Sequence, residues 1–296
     1  MGNVKRSKWN LIFLILTLIL LTGCANWRAR KMVDGMRPIM DGMKVAVNQN
    51  ADYKLVRDAM PASLVQLDGF IEVSPDNDDL LLRASEANSG YAFLFIMDTD
   101  KPRAAKLFKK GRDYALRVLK KNDAFNDAFD KPIEEFTKSL DTFEKEDVRA
   151  LFFAANNWLS WIGLTHSKDA TVLADLPKVE ALMDKVVELD DTFNYGGIHL
   201  MLGAYNASKP VMFGGKPEEA KYHFEQAMEI NDSKYLPCQY LYAKYYAVQV
   251  QDKELFIKLL EEVINAPEDL LPEKNFANEA SRMKAKVLIE QADDLF

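Results

Sequence analysis

The chain has 296 residues, 48% of them hydrophobic and 28% charged, an ordinary globular composition that excludes a disordered, collagenous or polytopic membrane protein. Its formal net charge is −7, and residues 24–296 alone carry 35 basic against 45 acidic side chains. That surplus of acid argues against nucleic acid as a partner, because such binding is driven by neutralising phosphates.

The first residues have the organisation of a secretory leader. Lys5, Arg6 and Lys8 precede an apolar run over residues 11–21, which ends in Leu21-Thr22-Gly23-Cys24. The run is too short for a comfortable membrane span. Leu-Thr-Gly-Cys resembles a bacterial lipobox, and that resemblance implies cleavage before Cys24, with removal of residues 1–23 and acylation of the new N-terminus. An uncleaved signal anchor is the alternative reading. Ala25 follows the cysteine where an Asp would resemble an inner-membrane retention signal, so the expected site is the bacterial outer membrane, with the protein facing the periplasm. Apart from Cys24 the chain has one cysteine, Cys238, so no disulfide framework is possible without Cys24.

Residues 24–50 make an anchor segment and an N-terminal helix. Met32, Met36, Met40 and Met43 form a stripe expected to pack on the protein's own domain, with an adaptable partner surface as the alternative reading. Residues 51–296 carry an internal repeat. Second-helix sets recur as Ser63, Leu67, Phe70; Ala104, Phe108, Gly111; Val179, Met183, Val186; Ala220, Phe224, Ala227; and, weakly, Leu255, Leu259, Glu262. Pro61, Pro102 and Pro177 stand two residues before the first three sets. Small and large side chains alternating on one face suit closely packed antiparallel helices. First-helix sets recur as Leu81, Ala84, Ser85, Asn88; Leu151, Ala154, Ala155, Trp158; His199, Leu202, Gly203, Asn206; and, loosely, Cys238, Leu241, Tyr242, Tyr245. This spacing is that of tetratricopeptide units, although Asn88, Asn206 and His199 depart from the usual bulky residues. The longest interruption, at about 120–147, is rich in Phe and is read as an added helix packed on the array, with a docking flap as the alternative. Residues 266–272 break the chain before a final capping helix. The expected fold is therefore all-α: an irregular tetratricopeptide-like helical-hairpin solenoid with extra N-terminal, inserted and C-terminal capping helices.

The turn before the fourth second-helix set is Gly214-Gly215-Lys216-Pro217, where Gly214 and Gly215 supply backbone freedom and at least one is expected at φ > 0. In a tetratricopeptide pair the inner residues fall one, five and eight places after the leading bulky residue. Here they are Leu82, Glu86 and Ser89; Phe152, Asn156 and Leu159; Leu200, Ala204 and Ala207; and Gln239, Ala243 and Tyr246. Most are apolar and none is basic. The concave face is thus expected either to take a hydrophobic small molecule or a partner segment, or to be covered by the chain itself, for example by the 120–147 insertion.

No catalytic set is legible. His166, His199 and His223 do not stand at metal-ligand spacing, and Gly214-Gly215-Lys216 lacks the spacing of a phosphate loop. No cofactor, metal or enzymatic activity is expected.

Taken with the lipobox, the segments Asp58-Ala59-Met60-Pro61, Leu81-Leu82 leading to Gly90-Tyr91-Ala92-Phe93, the Trp158 and Trp161 helix, and Phe213-Gly214-Gly215-Lys216-Pro217-Glu218-Glu219-Ala220 resemble the T components of tripartite ATP-independent periplasmic (TRAP) transporters. That resemblance implies a lipoprotein held in the membrane through Cys24, which binds the solute-binding P component, forms a homotrimer and passes an apolar ligand through a protomer pore. The competing readings are a generic outer-membrane tetratricopeptide scaffold or pilotin-like assembly lipoprotein, and a periplasmic enzyme.

Overall fold

A computed structural model describes residues 27–208 and 214–296. The leader, Cys24 and Phe213 lie outside the described residues. Among those described every element is helical, and no helix is long and apolar enough to cross a membrane.

A helical stretch over 27–34 leads into α1 (Arg37–Asn48), α2 (Tyr53–Val73) and α3 (Asp78–Tyr91). The array continues through α4 (Lys101–Leu119), α5 (Asp123–Ala128), α6 (Ile133–Ser139), α7 (Val148–Thr165), α8 (Leu176–Asp190), α9 (Phe193–Ala207) and α10 (Pro217–Ile230). It ends with α11 (Pro237–Leu241), α12 (Lys253–Asn265), α13 (Asn275–Ile289) and α14 (Ala292–Leu295). Short side chains start many of these helices by accepting from an orphan backbone N–H: Asp52 from Leu55, Asn77 from Leu80, Asp100 from Arg103 and Asp252 from Leu255.

The antiparallel hairpins are α3/α4, α7/α8, α9/α10 and α11/α12, with α2 packed on α3 ahead of them. The first-helix sets lie on α3, α7 and α9 and, loosely, on α11 and its continuation. The second-helix sets lie on α2, α4, α8, α10 and α12. Ala220, Phe224 and Ala227 are sealed from solvent, as are Ala104 and Phe108. Pro102, Pro177 and Pro217 stand in first helical turns, where a missing N–H costs nothing. Pro61 does not: it sits inside α2, whose start at Tyr53 is set by the Asp52 cap rather than by the proline.

The insertion packs as an apolar layer. Phe125, Phe136 and Phe143 are buried, and the Phe129 ring stacks on Trp158 at 5.9 Å. It rests against α7 and α8, so it does not cover the concave face. That role falls to α13, which packs on α11 and α12 and also reaches α1 and α2 at the other end of the array. The final helix caps the last hairpin, as expected, and also closes the array onto its first helices.

The methionine stripe divides. Met40 is buried and Met36 half-buried against the domain, whereas Met32 and Met43 face solvent.

Candidate functional site

The concave candidates are largely used by the fold. Leu82 and Phe152 belong to one buried cluster and Leu200, Ala207, Ala243 and Tyr246 to another, with Leu159 and Ala204 packed at their edges. Ser89 is buried and accepts from the Asn156 side-chain amide at 2.7 Å, while Gln239 donates to the Ser233 carbonyl. Glu86 lies 2.6 Å from Lys44 of α1 and 3.3 Å from Arg149 of α7. Arg149 also meets Asp79 at 3.2 Å, and Arg83 ties Asp79 to Asp41 of α1. Burial works to raise the Glu86 carboxyl, but Lys44 and Arg149 more than offset it and hold it below the usual carboxylate range.

The inner face was expected to lack basic residues, and the closing segments supply them. Lys274 sits 4.9 Å from the Tyr195 ring and is lowered by burial despite Glu86 nearby. Lys284 and Lys244 both pair with Asp98, Lys244 at 3.2 Å. The rings of Tyr53, Phe95 and Phe276 fill the space beside them, with Phe276 6.0 Å from Phe95 and 6.3 Å from Tyr53.

Two backbone irregularities, neither visible as a break in hydrophobic spacing, set this geometry. Asn194, Tyr195 and Gly196 run at φ 52°, 63° and 74°, a left-handed stretch that costs about 1–2 kcal/mol for each residue with a Cβ. It is held by the Tyr195–Tyr235 stack at 5.3 Å and by Asn231 donating to the Tyr195 carbonyl. Residues Tyr242–Ala247 are π-helical, and within this wider turn each residue rotates less about the axis than in an α-helix. Lys244 points to Asp98 on the inner side. Tyr246, read from the sequence as concave, stands instead in an outer groove.

That groove, of about 570 Å³, runs between α10 and α12. Tyr242, Tyr246, Met228 and Leu255 supply its apolar surface, and Glu225 and Glu229 stand on its rim.

His199 and His223, 24 residues apart in sequence, meet Nδ1 to Nδ1 at 3.0 Å, with Asp191 3.6 Å from Nε2 of His199. His223 is half-buried. Burial lowers both imidazoles, and the facing His199 pushes His223 further, to about 4. Both imidazoles are thus biased toward the neutral form, in which one Nδ1–H donates to the facing Nδ1. Cys238 is sealed, accepts from Asn231, and is pushed up to about 12 by burial, so it is a packing residue without thiolate chemistry. Among the described residues no group of three or more His, Cys, Asp or Glu is placed to hold a metal ion. Gly214 has φ +85°, as the turn before α10 requires.

Repeated hairpins closed by a terminal helix, with ion pairs lining the inside, define a tetratricopeptide-like helical-repeat protein. The model of one protein family, described as the TRAP transporter T-component, matches residues 49–296. The chain belongs to that family. A comparison with curated proteins gave no match. Its role is that of an accessory component of a TRAP transporter, in a family of transporter accessory proteins rather than enzymes.

Proposed function

We propose that this chain is held at the periplasmic side of the outer membrane through acylated Cys24 and binds the solute-binding P component of its transporter in the outer groove between α10 and α12. The observation that carries the choice of surface is the contrast between the two faces. The concave candidates Leu82, Glu86, Phe152, Asn156, Leu159, Leu200 and Ala204 are buried, paired or packed by the chain itself, whereas the outer groove leaves Met228 and Leu255 half-buried between the exposed Glu225 and Glu229. In this reading the concave residues are core, Tyr246 forms the floor of the groove, Met228 and Leu255 are contact residues, and the acidic rim steers the partner.

The test is affinity capture of the tagged full-length protein from native membranes, with the P component identified by mass spectrometry. Wild type should retain the P component, and Glu225→Lys combined with Glu229→Lys should reduce capture at least tenfold, about 1.4 kcal/mol, without lowering thermal stability. No P component on the wild-type protein would refute the partner. Equal capture by the double variant would refute the groove. Cys24→Ser should move the protein out of the membrane fraction or leave it unprocessed.

A further inference from the structure

The N-terminal helices expose apolar surface that the domain does not use. Within α1 only Met40 is buried. Ile39, Met43 and Val47 follow at four-residue intervals on one side and are 60%, 50% and 38% exposed. Upstream, Trp27 and Met32 are 60% and 68% exposed.

Charge on this segment is divided as well. Residues 27–48 hold five basic and two acidic side chains, in a chain that is acidic overall. Both acids turn inward: Asp34 accepts from Ser74 and Asn77, and Asp41 pairs with Arg83. Of the bases only Lys44 follows them, to Glu86. Arg28, Arg30, Lys31 and Arg37 are exposed and make no hydrogen bond or ion pair among the described residues.

Trp27 stands three residues after Cys24, a reach of at most about 11 Å of extended chain. A headgroup layer is about 5–8 Å deep on each side of the bilayer, so an acylated Cys24 keeps the start of this helix at the lipid surface. An uncleaved leader would do the same, since its apolar run ends three residues before Cys24.

We infer that residues 27–48 lie on the membrane, with Trp27, Met32, Ile39 and Met43 seated in the headgroup region of an anionic bilayer and Arg28, Arg30, Lys31 and Arg37 against lipid phosphates. This rests on the membrane-tether reading but not on the identity of the transport partner. The acyl chains hold the protein, and the helix fixes which side of the domain faces the bilayer.

The experiment uses full-length acylated protein reconstituted into vesicles of phosphatidylethanolamine and phosphatidylglycerol. A nitroxide is attached at Met43→Cys, with Lys131→Cys on the insertion as the control; Cys238 is buried and the acylated Cys24 does not react. Collision with dissolved oxygen should exceed collision with an aqueous nickel chelate severalfold at position 43, and the reverse should hold at position 131. Changing Arg28, Arg30 and Lys31 together to Glu should shift position 43 toward water. Strong nickel collision at position 43 in the parent protein would place the helix in solvent. Weak collision with both probes would place a second copy or another protein over it. Either result overturns the inference, and the intact mass of the protein separately reports whether Cys24 is acylated.

Discussion

Gly111 is where the first hairpin meets the second, and Gly111→Ala tests whether that seam depends on the missing side chain. A Cβ built on Gly111 falls 2.5 Å from Oδ1 and 2.8 Å from Cγ of Asn157, well inside contact distance. Asn157 has no solvent to turn into, being fully buried, and its Nδ2 donates to Ser85 Oγ at 3.1 Å and to the Phe153 carbonyl at 2.9 Å. Ser85 Oγ in turn donates to the Gly111 carbonyl at 2.7 Å. Relief therefore means either separating α4 from α7, about 1–3 kcal/mol for overpacking, or rotating Asn157 away from two hydrogen bonds worth about 1 kcal/mol each. Alanine recovers about 1 kcal/mol of helix propensity over glycine. The net loss should be about 1 kcal/mol, read by urea unfolding followed by circular dichroism. In a double-mutant cycle with Asn157→Ala the pair should be more stable than additivity predicts by at least about 1 kcal/mol, because the small residue leaves room for the new methyl. A Gly111→Ala protein as stable as wild type, or an additive cycle, would refute the steric account.

Gly214→Ala should destabilise by about 1–2 kcal/mol while Gly214→Asn costs less: its Cβ would meet no atom within 4 Å, so the effect is purely the left-handed φ, and equal stabilities by thermal melting would contradict it. Because the folded-state pKa of His223 is depressed from 6.5 to about 4, stability is fully present above pH 6.5 and is lost as pH falls toward 4. His223→Gln should flatten that part of the melting-temperature profile, and an unchanged slope would show that other groups carry it. Arg149→Met should cost about 1–3 kcal/mol by leaving Glu86 and Asp79 each short of a cation, discounted because these side chains keep some solvent; a cost under about 0.5 kcal/mol would mean that Lys44 and Arg83 suffice.

The repeats were legible because they are local. Ala104-Phe108-Gly111 and Ala220-Phe224-Ala227 each read as one helical face, and each is buried where two helices meet. The Gly214 turn was legible for the same reason: two adjacent glycines before a proline can be read without knowing what lies across from them. What could not be read depends on geometry that a 3.6-residue period does not carry. A π-helical turn leaves the apolar spacing intact while changing the rotation of the residues within it, and Tyr246 in the outer groove and Lys244 facing Asp98 both lie in that turn. The left-handed run at Asn194-Tyr195-Gly196 has two permissive residues, Asn194 and Gly196, and is held by Asn231 at the end of its own hairpin and by Tyr235 in the link to the next. The His199–His223 contact joins helices on either side of a turn. Lys274 and Lys284 reach the concave face only because the chain's end comes back across it, and no spacing within either segment announces that return.

The return of α13 to α1 and α2 also fixes how many hairpins the protein can have. An open solenoid can gain or lose a unit at either end, since each unit touches only its neighbours. In this chain an added hairpin would pull Phe276 away from Tyr53 and Lys284 away from Asp98, exposing apolar and charged surface at once. Lineages that vary the length of the array should therefore change the closing helix in the same step. The same geometry ties early residues to late ones: Tyr53 meets Phe276 and Asp98 meets Lys284, so a chain cut short after Pro267 would leave both contacts unmade.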